Sequence, residues 1–198
     1  MRGAAPTIVI VGGGASGALM ARQLWECAGS AVRVVAVERG PGFGRGIAYS
    51  SPEDGHLLNV RAEAMGGFPD RAGDFADWLG GDPKAYVSRR RYGDYLESLV
   101  RPPLDAGALE IVRGLCVGVA ETEGGVVARL ADGGEIAADY AILATGNEAP
   151  PAGAAAESGW GCGAPPAPEA AVLIKGAGLT IVDRVISLAA AGHRGPIL

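Results

Sequence analysis

The stretch Thr7-Ile8-Val9-Ile10-Val11-Gly12-Gly13-Gly14-Ala15-Ser16-Gly17 decides how this chain is read. Its first five residues are β-branched and apolar on both faces, the composition of a strand buried inside a parallel sheet. Glycines stop that strand at once. From residue 15 to about residue 27, Ala18, Leu19, Ala21, Leu24 and Trp25 recur at helical spacing, and Gly29-Ser30 closes the segment. Val32-Arg33-Val34-Val35-Ala36-Val37-Glu38 is a second buried strand of the same kind. Strand, turn, helix and strand make one βαβ unit, for which a right-handed crossover is expected.

Residues 12–17 satisfy G-x-G-x-x-G between a strand and a helix, and Glu38 ends the following strand about twenty residues on, the spacing of a dinucleotide-binding fingerprint. Gly12 permits the tight turn, Gly14 lets a pyrophosphate approach the backbone, and Gly17 lets the helix pack against the strand. Gly13, Ala15 and Ser16 complete the turn and the helix start, where unpaired N–H groups and the helix dipole favour an anion. Glu38 is placed to accept hydrogen bonds from ribose hydroxyls. The fingerprint implies an ADP moiety, which FAD and NAD share.

Working outward, residues 40–70 are glycine-rich and irregular, a length that points to a functional loop. Helices are expected near residues 73–79 and 91–100, and Leu109-Glu110-Ile111-Val112 reads as a further strand. Residues 116–121, 126–131 and 135–139, separated by glycine turns, read as an antiparallel meander. Tyr140-Ala141-Ile142-Leu143-Ala144 returns as a buried strand ending at Thr145-Gly146. The composition then turns to Pro, Ala and Gly, the signature of a linker. Ala171-Val172-Leu173-Ile174, Gly176-Ala177-Gly178 and a helical pattern over residues 181–191 repeat the strand-turn-helix order, and the chain stops where another strand should begin. The expected organisation is a dinucleotide-binding domain over residues 1–150, a linker over 151–170 and an incomplete second dinucleotide unit over 171–198. The fold class is α/β: a Rossmann-like domain with a parallel sheet and an antiparallel β-meander, plus the start of a second such unit.

Composition narrows the function classes. The chain has 198 residues, 48% of them apolar, enough for one ordinary core and part of a second. Lys and Arg number 17 against 22 Asp and Glu, and the resulting charge of -5 offers no general attraction to a phosphate backbone, so nucleic acid is not an expected partner. The apolar run at residues 8–11 is too short for a secretory signal, and no run approaches a membrane span. Cys27, Cys116 and Cys162 lack C-x-x-C pairing, which argues against a disulfide framework and a zinc site and fits a cytoplasmic protein. No metal site is expected.

Several segments in order carry a specific likeness. They are residues 11–17, Glu38-Arg39-Gly40, Gly44-Arg45-Gly46-Ile47-Ala48-Tyr49, His56-Leu57-Leu58-Asn59-Val60, Ala144-Thr145-Gly146-Asn147 and Gly178-Leu179-Thr180-Ile181-Val182-Asp183. Together they resemble the bacterial FAD-NAD(P)-binding family, which includes FAD-dependent urate hydroxylases. The meander before Thr145-Gly146 resembles the FAD-binding domains of two-dinucleotide flavoproteins, in which that turn closes over the cofactor. The resemblance implies FAD in the first unit, with Arg39, Arg45, Thr145 and Gly146 beside Gly12, Gly14, Gly17 and Glu38. It implies NAD(P)H at Gly176 and Gly178, a flavin oxidoreductase of the monooxygenase kind and a small-molecule substrate. Family members continue well past Leu198, so the chain reads as truncated. The alternative is a non-catalytic or fragmentary nucleotide-binding module.

Other residues carry weaker signals. Ile181 stands where the second fingerprint would have its third glycine, and Lys175 stands where the family has a small apolar residue. His56 and Asn59 either lie near the flavin or bond loop backbone, and no residue is assigned a catalytic step. Ser88-Arg89-Arg90-Arg91-Tyr92 reads as a solvated helix start, and Trp25, Trp78 and Trp160 as packing residues.

Overall fold

The computed structural model describes residues 5–146 and 165–198. In chain order the elements of the first unit are β1 (Thr7–Val11), α1 (Ala15–Ala28), β2 (Arg33–Glu38), α2 (Asp74–Leu79), α3 (Arg89–Asp105), β3 (Leu109–Arg113), β4 (Cys116–Thr122), β5 (Gly125–Leu130), β6 (Glu135–Ala138) and β7 (Tyr140–Leu143). The strands β3-β2-β1-β7 form a parallel sheet in that order, and β4-β5-β6 form the antiparallel meander. The α/β class, the parallel sheet and the meander expected from the sequence are all present.

Period-two alternation assigns the sheet's two faces. Ile10 is level with Ala36 on β2 and Ile142 on β7, and Ala36 is level with Ile111 on β3. This row packs with Ala18 and Ala21 of α1 and Val100 of α3. Val9 and Val37 point the other way, onto Ala128, Leu130 and Ala138 of the meander. The runs look apolar throughout because both faces are covered. Asp139 ties the meander's end to the sheet: its carboxylate accepts from the Thr7 N–H at 2.7 Å, and its own N–H donates to the Thr7 carbonyl at 2.8 Å.

Helix α3 runs past the expected end at residue 100 and carries Pro102 and Pro103 in its last turn. Proline has no N–H to give the carbonyl four residues earlier. For Pro103 that carbonyl is Leu99, and Arg22 Nη1 on α1 donates to it instead, at 3.2 Å. A cross-helix guanidinium replaces the missing donor, a substitution that local pattern does not reveal.

A second core lies under α2 and α3 and includes Leu58, Phe68, Phe75, Tyr92, Tyr95, Leu96 and Leu99. Phe75 meets Tyr92 edge-on at 5.0 Å between ring centroids and stacks on Trp78 at 6.2 Å. Trp25 is half-buried, while Trp160 lies outside the described residues. The Tyr95 hydroxyl accepts from the Gly67 N–H at 2.9 Å and donates to the Asp74 carboxylate.

The second unit is short. Helix α4 (Thr180–Ala190) follows Gly176-Ala177-Gly178. Val172 pairs in parallel with Ile197, and the Leu198 N–H donates to the Val172 carbonyl at 2.9 Å. The strand expected at residues 171–174 is therefore only an isolated bridge, too short a pairing to form a strand. Most of the expected linker, residues 151–164, lies outside the described residues.

Burial, and for Tyr95 also the hydrogen bond to Asp74, push the Tyr92 and Tyr95 hydroxyls well above the ordinary tyrosine value of 10.0. The neutral forms are thus favoured in the folded state, and stability present below pH 10.0 is lost as the unfolded chain's tyrosines ionise above it. Urea midpoints measured between pH 8 and about 11 should fall on the alkaline side, with a shallower fall in Tyr92→Phe. An equal slope in that variant would show that Tyr92 contributes nothing to the alkaline loss.

Candidate functional site

The glycine turn sits at the carboxyl ends of β1, β2 and β7, where the backbones converge. The Gly12 N–H donates to the Val37 carbonyl at 2.9 Å, and the Ala144 N–H donates to the Val11 carbonyl at 2.8 Å. Gly12 has φ +108°. A Cβ on it would lie 2.2 Å from the Ala144 carbonyl oxygen and 3.2 Å from the Thr145 nitrogen. A Cβ on Gly17 would lie 2.0 Å from the Gly12 carbonyl oxygen. Both glycines are required by the protein's own backbone.

Gly14 differs. Its backbone is extended, with φ -75° and ψ -169°, a conformation open to any residue. The nearest atom to a Cβ there is Gly46 Cα at 3.5 Å, an ordinary contact. Neither strain nor protein packing calls for glycine at this position. Gly14 stands at the start of α1, whose first turn has no acidic residue and no side-chain cap. Four N–H groups at a helix start lack intrahelical partners, so this end is suited to an anion brought from outside.

Glu38 closes the turn from the side. One carboxylate oxygen accepts from the Gly13 N–H at 2.6 Å and the other from the Gly40 N–H at 2.6 Å. Each oxygen retains acceptor capacity, since a carboxylate offers about four lone-pair sites, so the residue also fits ribose hydroxyls. Arg39, next to it, is exposed.

The loop of residues 40–46 lies over the turn, and its anchors escaped sequence reasoning. The Gly44 N–H donates to the Gly13 carbonyl at 2.7 Å. Phe43, 5% exposed, joins the core between the sheet and its helices. Arg113, at the end of β3, donates to the carbonyls of Gly40, Pro41 and Gly42. Only the register that sets Arg113 level with Glu38 shows why that arginine reaches the loop.

Arg45, expected beside the cofactor, is committed elsewhere. Its guanidinium binds Glu97 at 2.7 Å and Asp94, both on α3, and donates to the Arg90 carbonyl at 3.2 Å. The hydrogen bond to Glu97, partly opposed by burial and reinforced by Asp94, raises its pKa above the ordinary arginine value. Arg45 thus pins the loop to α3, and it is the flanking Gly46 backbone that borders Gly14.

Thr145 and Gly146 are exposed at the end of β7, and the Thr145 nitrogen borders Gly12. Gly176 and Gly178 form the separate turn before α4, and a Cβ on either would meet nothing within 4 Å. Lys175 beside them is exposed. The basic run at residues 88–92 opens α3 as expected, with Arg90 and Arg91 exposed, but Ser88, Arg89 and Tyr92 are buried. Ser88 caps α3 by accepting from the Arg91 N–H at 3.3 Å, and Arg89 is buried because Asn59 and Asp183 face it. Cys27 and Cys116 are free thiols, whereas Cys162 and Asn147 lie outside the described residues. No helix among the described residues is long and apolar enough to cross a membrane.

Comparison with known proteins gives the same reading of the fold. A family model described as FAD-NAD(P)-binding matches residues 9–148. The chain is similar to the structure of OTEMO solved in complex with FAD and NADP, at 17% identity and a TM-score of 0.65, covering 98% of this chain and 38% of that one. Its likeness to cyclohexanone monooxygenase is 18% identical with a TM-score of 0.54, over 70% of this chain and 26% of that one. A flavin monooxygenase from Stenotrophomonas maltophilia is 20% identical with a TM-score of 0.50, over 70% and 37%. The chain therefore spans about a quarter to two-fifths of these structures. No curated protein matches it.

Two substitutions separate the kinds of glycine in the turn. Gly12→Ala should cost about 3 kcal/mol, from strain at positive φ and the clash with Ala144. Gly14→Ala should cost only about 1 kcal/mol, the loss from placing alanine at a helix N-cap. Urea unfolding of both variants measures the contrast, and equal losses would show that Gly14 is also fixed by the protein.

Proposed function

Because the chain belongs to the FAD-NAD(P)-binding family, we propose that it holds FAD at residues 12–17 and serves an NAD(P)H-fed flavin oxidoreductase of the monooxygenase class acting on a small molecule. The observation that carries this reading is Gly14: neither backbone strain nor a clash with the protein calls for glycine there, at a helix start without a side-chain cap. A solved structure sharing the fold over 98% of this chain is a complex with FAD and NADP, which supports the same assignment.

In this reading the N–H groups of Ala15 and Ser16 donate to the phosphates and Glu38 accepts from the adenosine ribose. The Thr145-Gly146 backbone borders the cofactor where β7 ends against Gly12. Arg39 adds a positive charge at the rim beside Glu38. Arg45, Phe43 and Arg113 act on the loop, keeping residues 40–46 fixed over the turn. FAD, when bound, supplies the hydride-accepting and electron-delivering chemistry, and the protein supplies orientation and electrostatics. Gly176 and Gly178, in the turn before α4, serve the phosphates of NAD(P)H at that helix's start.

The purified protein should be yellow, or become so on addition of FAD, and should release FAD on denaturation. Gly14→Ala should weaken FAD binding by about tenfold or more, as a methyl group enters the phosphate's space, while the fold survives. Glu38→Gln keeps the side-chain shape but removes the charge from its hydrogen bonds, and should weaken binding by about tenfold. Fluorescence titration with FAD and circular dichroism measure both. A colourless protein that FAD cannot reconstitute would overturn the proposal and favour a module for another ADP-containing ligand.

A further inference from the structure

Away from the glycine turns, buried polar groups concentrate where α4 meets the first unit. Arg89 is 7% exposed and Asp183 8%. Arg89 Nε lies 3.4 Å from Asp183 Oδ2, and Arg89 Nη2 donates to Asn59 Oδ1 at 3.0 Å. His56 Nε2 lies 3.0 Å from both the Asp183 carbonyl oxygen and Ser187 Oγ, and 2.5 Å from Glu53 Oε2. A carbonyl and a carboxylate only accept, so this nitrogen carries a hydrogen. His56 Nδ1 meets the Ser51 hydroxyl at 2.7 Å, and the Ser187 hydroxyl donates to Glu53 at 2.6 Å. A Cβ on Gly55 would be 3.2 Å from Ile186 Cγ2, so the loop backbone lies close under the helix.

Three features of this joint bear on function. It binds one helix of the second unit to two segments of the first, the loop of residues 51–59 and the start of α3. It does so with a charge pair and hydrogen bonds rather than with either core. Its attachment points on α4, Asp183 and Ser187, are one helical turn apart, which fixes the helix direction as well as its place. Helix α4 begins directly after the second glycine turn, so whatever holds α4 also holds Gly176 and Gly178.

We infer that the Arg89–Asp183 pair and the His56 cluster set the position of the second glycine turn relative to the first. On the proposed use of the two turns for FAD and NAD(P)H, Arg89, Asp183 and His56 are positioning residues for transfer between the two nucleotides. A carboxylate or guanidinium that leaves such a pair must either stay buried alone or open to water.

The test uses the full chain loaded with FAD, comparing wild type with Asp183→Asn, the milder Ser187→Ala and the uncharged double variant R89L/D183L. Hydrogen exchange read by mass spectrometry should show α4 amides exchanging about tenfold or more faster in Asp183→Asn. The α1 amides should be unchanged, Ser187→Ala should lie between, and the double variant should recover part of the protection. FAD affinity should stay within about twofold of wild type, because no phosphate or ribose contact is altered. Under anaerobic conditions, the limiting rate of flavin reduction by NADH or NADPH should fall about tenfold in Asp183→Asn, with the half-saturating concentration nearly unchanged.

Unchanged α4 exchange in Asp183→Asn and Ser187→Ala overturns the joint, as does equal loosening of α1 and α4. A loosened α4 with an unaltered limiting rate overturns the positioning role. A wild type that holds FAD but is reduced by neither nucleotide overturns the NAD(P)H reading instead, and hydrogen exchange then decides the joint by itself.

Discussion

Three backbones meet at the carboxyl edge of the parallel sheet, and the rest of the structure is arranged around their meeting. The Ala144 carbonyl occupies the space in which any residue but glycine at position 12 would carry its Cβ, at 2.2 Å. The Gly12 carbonyl in turn occupies the corresponding space at Gly17, at 2.0 Å. Strand β7, the turn after β1 and the first turn of α1 are therefore locked in contact with no side chain between them. The start of α1, which has no side-chain cap, lies against the backbone of Gly46 in the protein's own loop. The site's polarity is a consequence of a steric arrangement, because the dipole and the unpaired donors come with any helix begun this way.

Glu38 shows how the same edge is stable without a ligand. Both its oxygens are hydrogen-bonded to turn N–H groups, those of Gly13 and Gly40, so neither donor is left unpaired. The carboxylate is held in place in advance, and a ribose arriving there need not order it. Pre-ordering of this kind lowers the cost of binding more than it adds contacts. The loop of residues 40–46 is fixed by the same logic, through Phe43 in the core and the guanidinium groups of Arg45 and Arg113 at its two ends.

The sheet, the meander and the glycine turn were legible in the sequence because each is written in local pattern. Buried strands are apolar runs, hairpins are marked by glycine pairs, and the fingerprint has fixed spacing. Strand bounds moved by a residue or so for this reason. What stayed illegible depended on partners far along the chain. Helix α3 passes Pro102 and Pro103 because Arg22, some eighty residues earlier, takes the Leu99 carbonyl. Arg89 is buried because Asp183, nearly a hundred residues later, faces it. Arg45, placed in the cofactor site by the resemblance, is held by Asp94 and Glu97 on the adjoining face of α3. In all three cases the residue is an arginine whose partner lies far along the chain. A long cation's burial is set by where its partner lies in space, and one sequence has no period that reports it.

The contrast between the two kinds of contact in the chain is itself informative. Within the first unit, sheet, helices and meander meet through alanine, valine, isoleucine and leucine, in packing that tolerates little movement. Between that unit and α4 the contacts include a charge pair, a histidine, two serines and a glutamate, with Ile186 against the Gly55 backbone. Polar surfaces of this type are the rule where two parts of a chain must stay registered yet separable. An apolar seam would fuse the units into one core, whereas a hydrogen-bonded seam can exchange its partners for water. The first glycine turn is thus built into a rigid body, and the second is attached to it by a joint whose strength depends on a few named side chains.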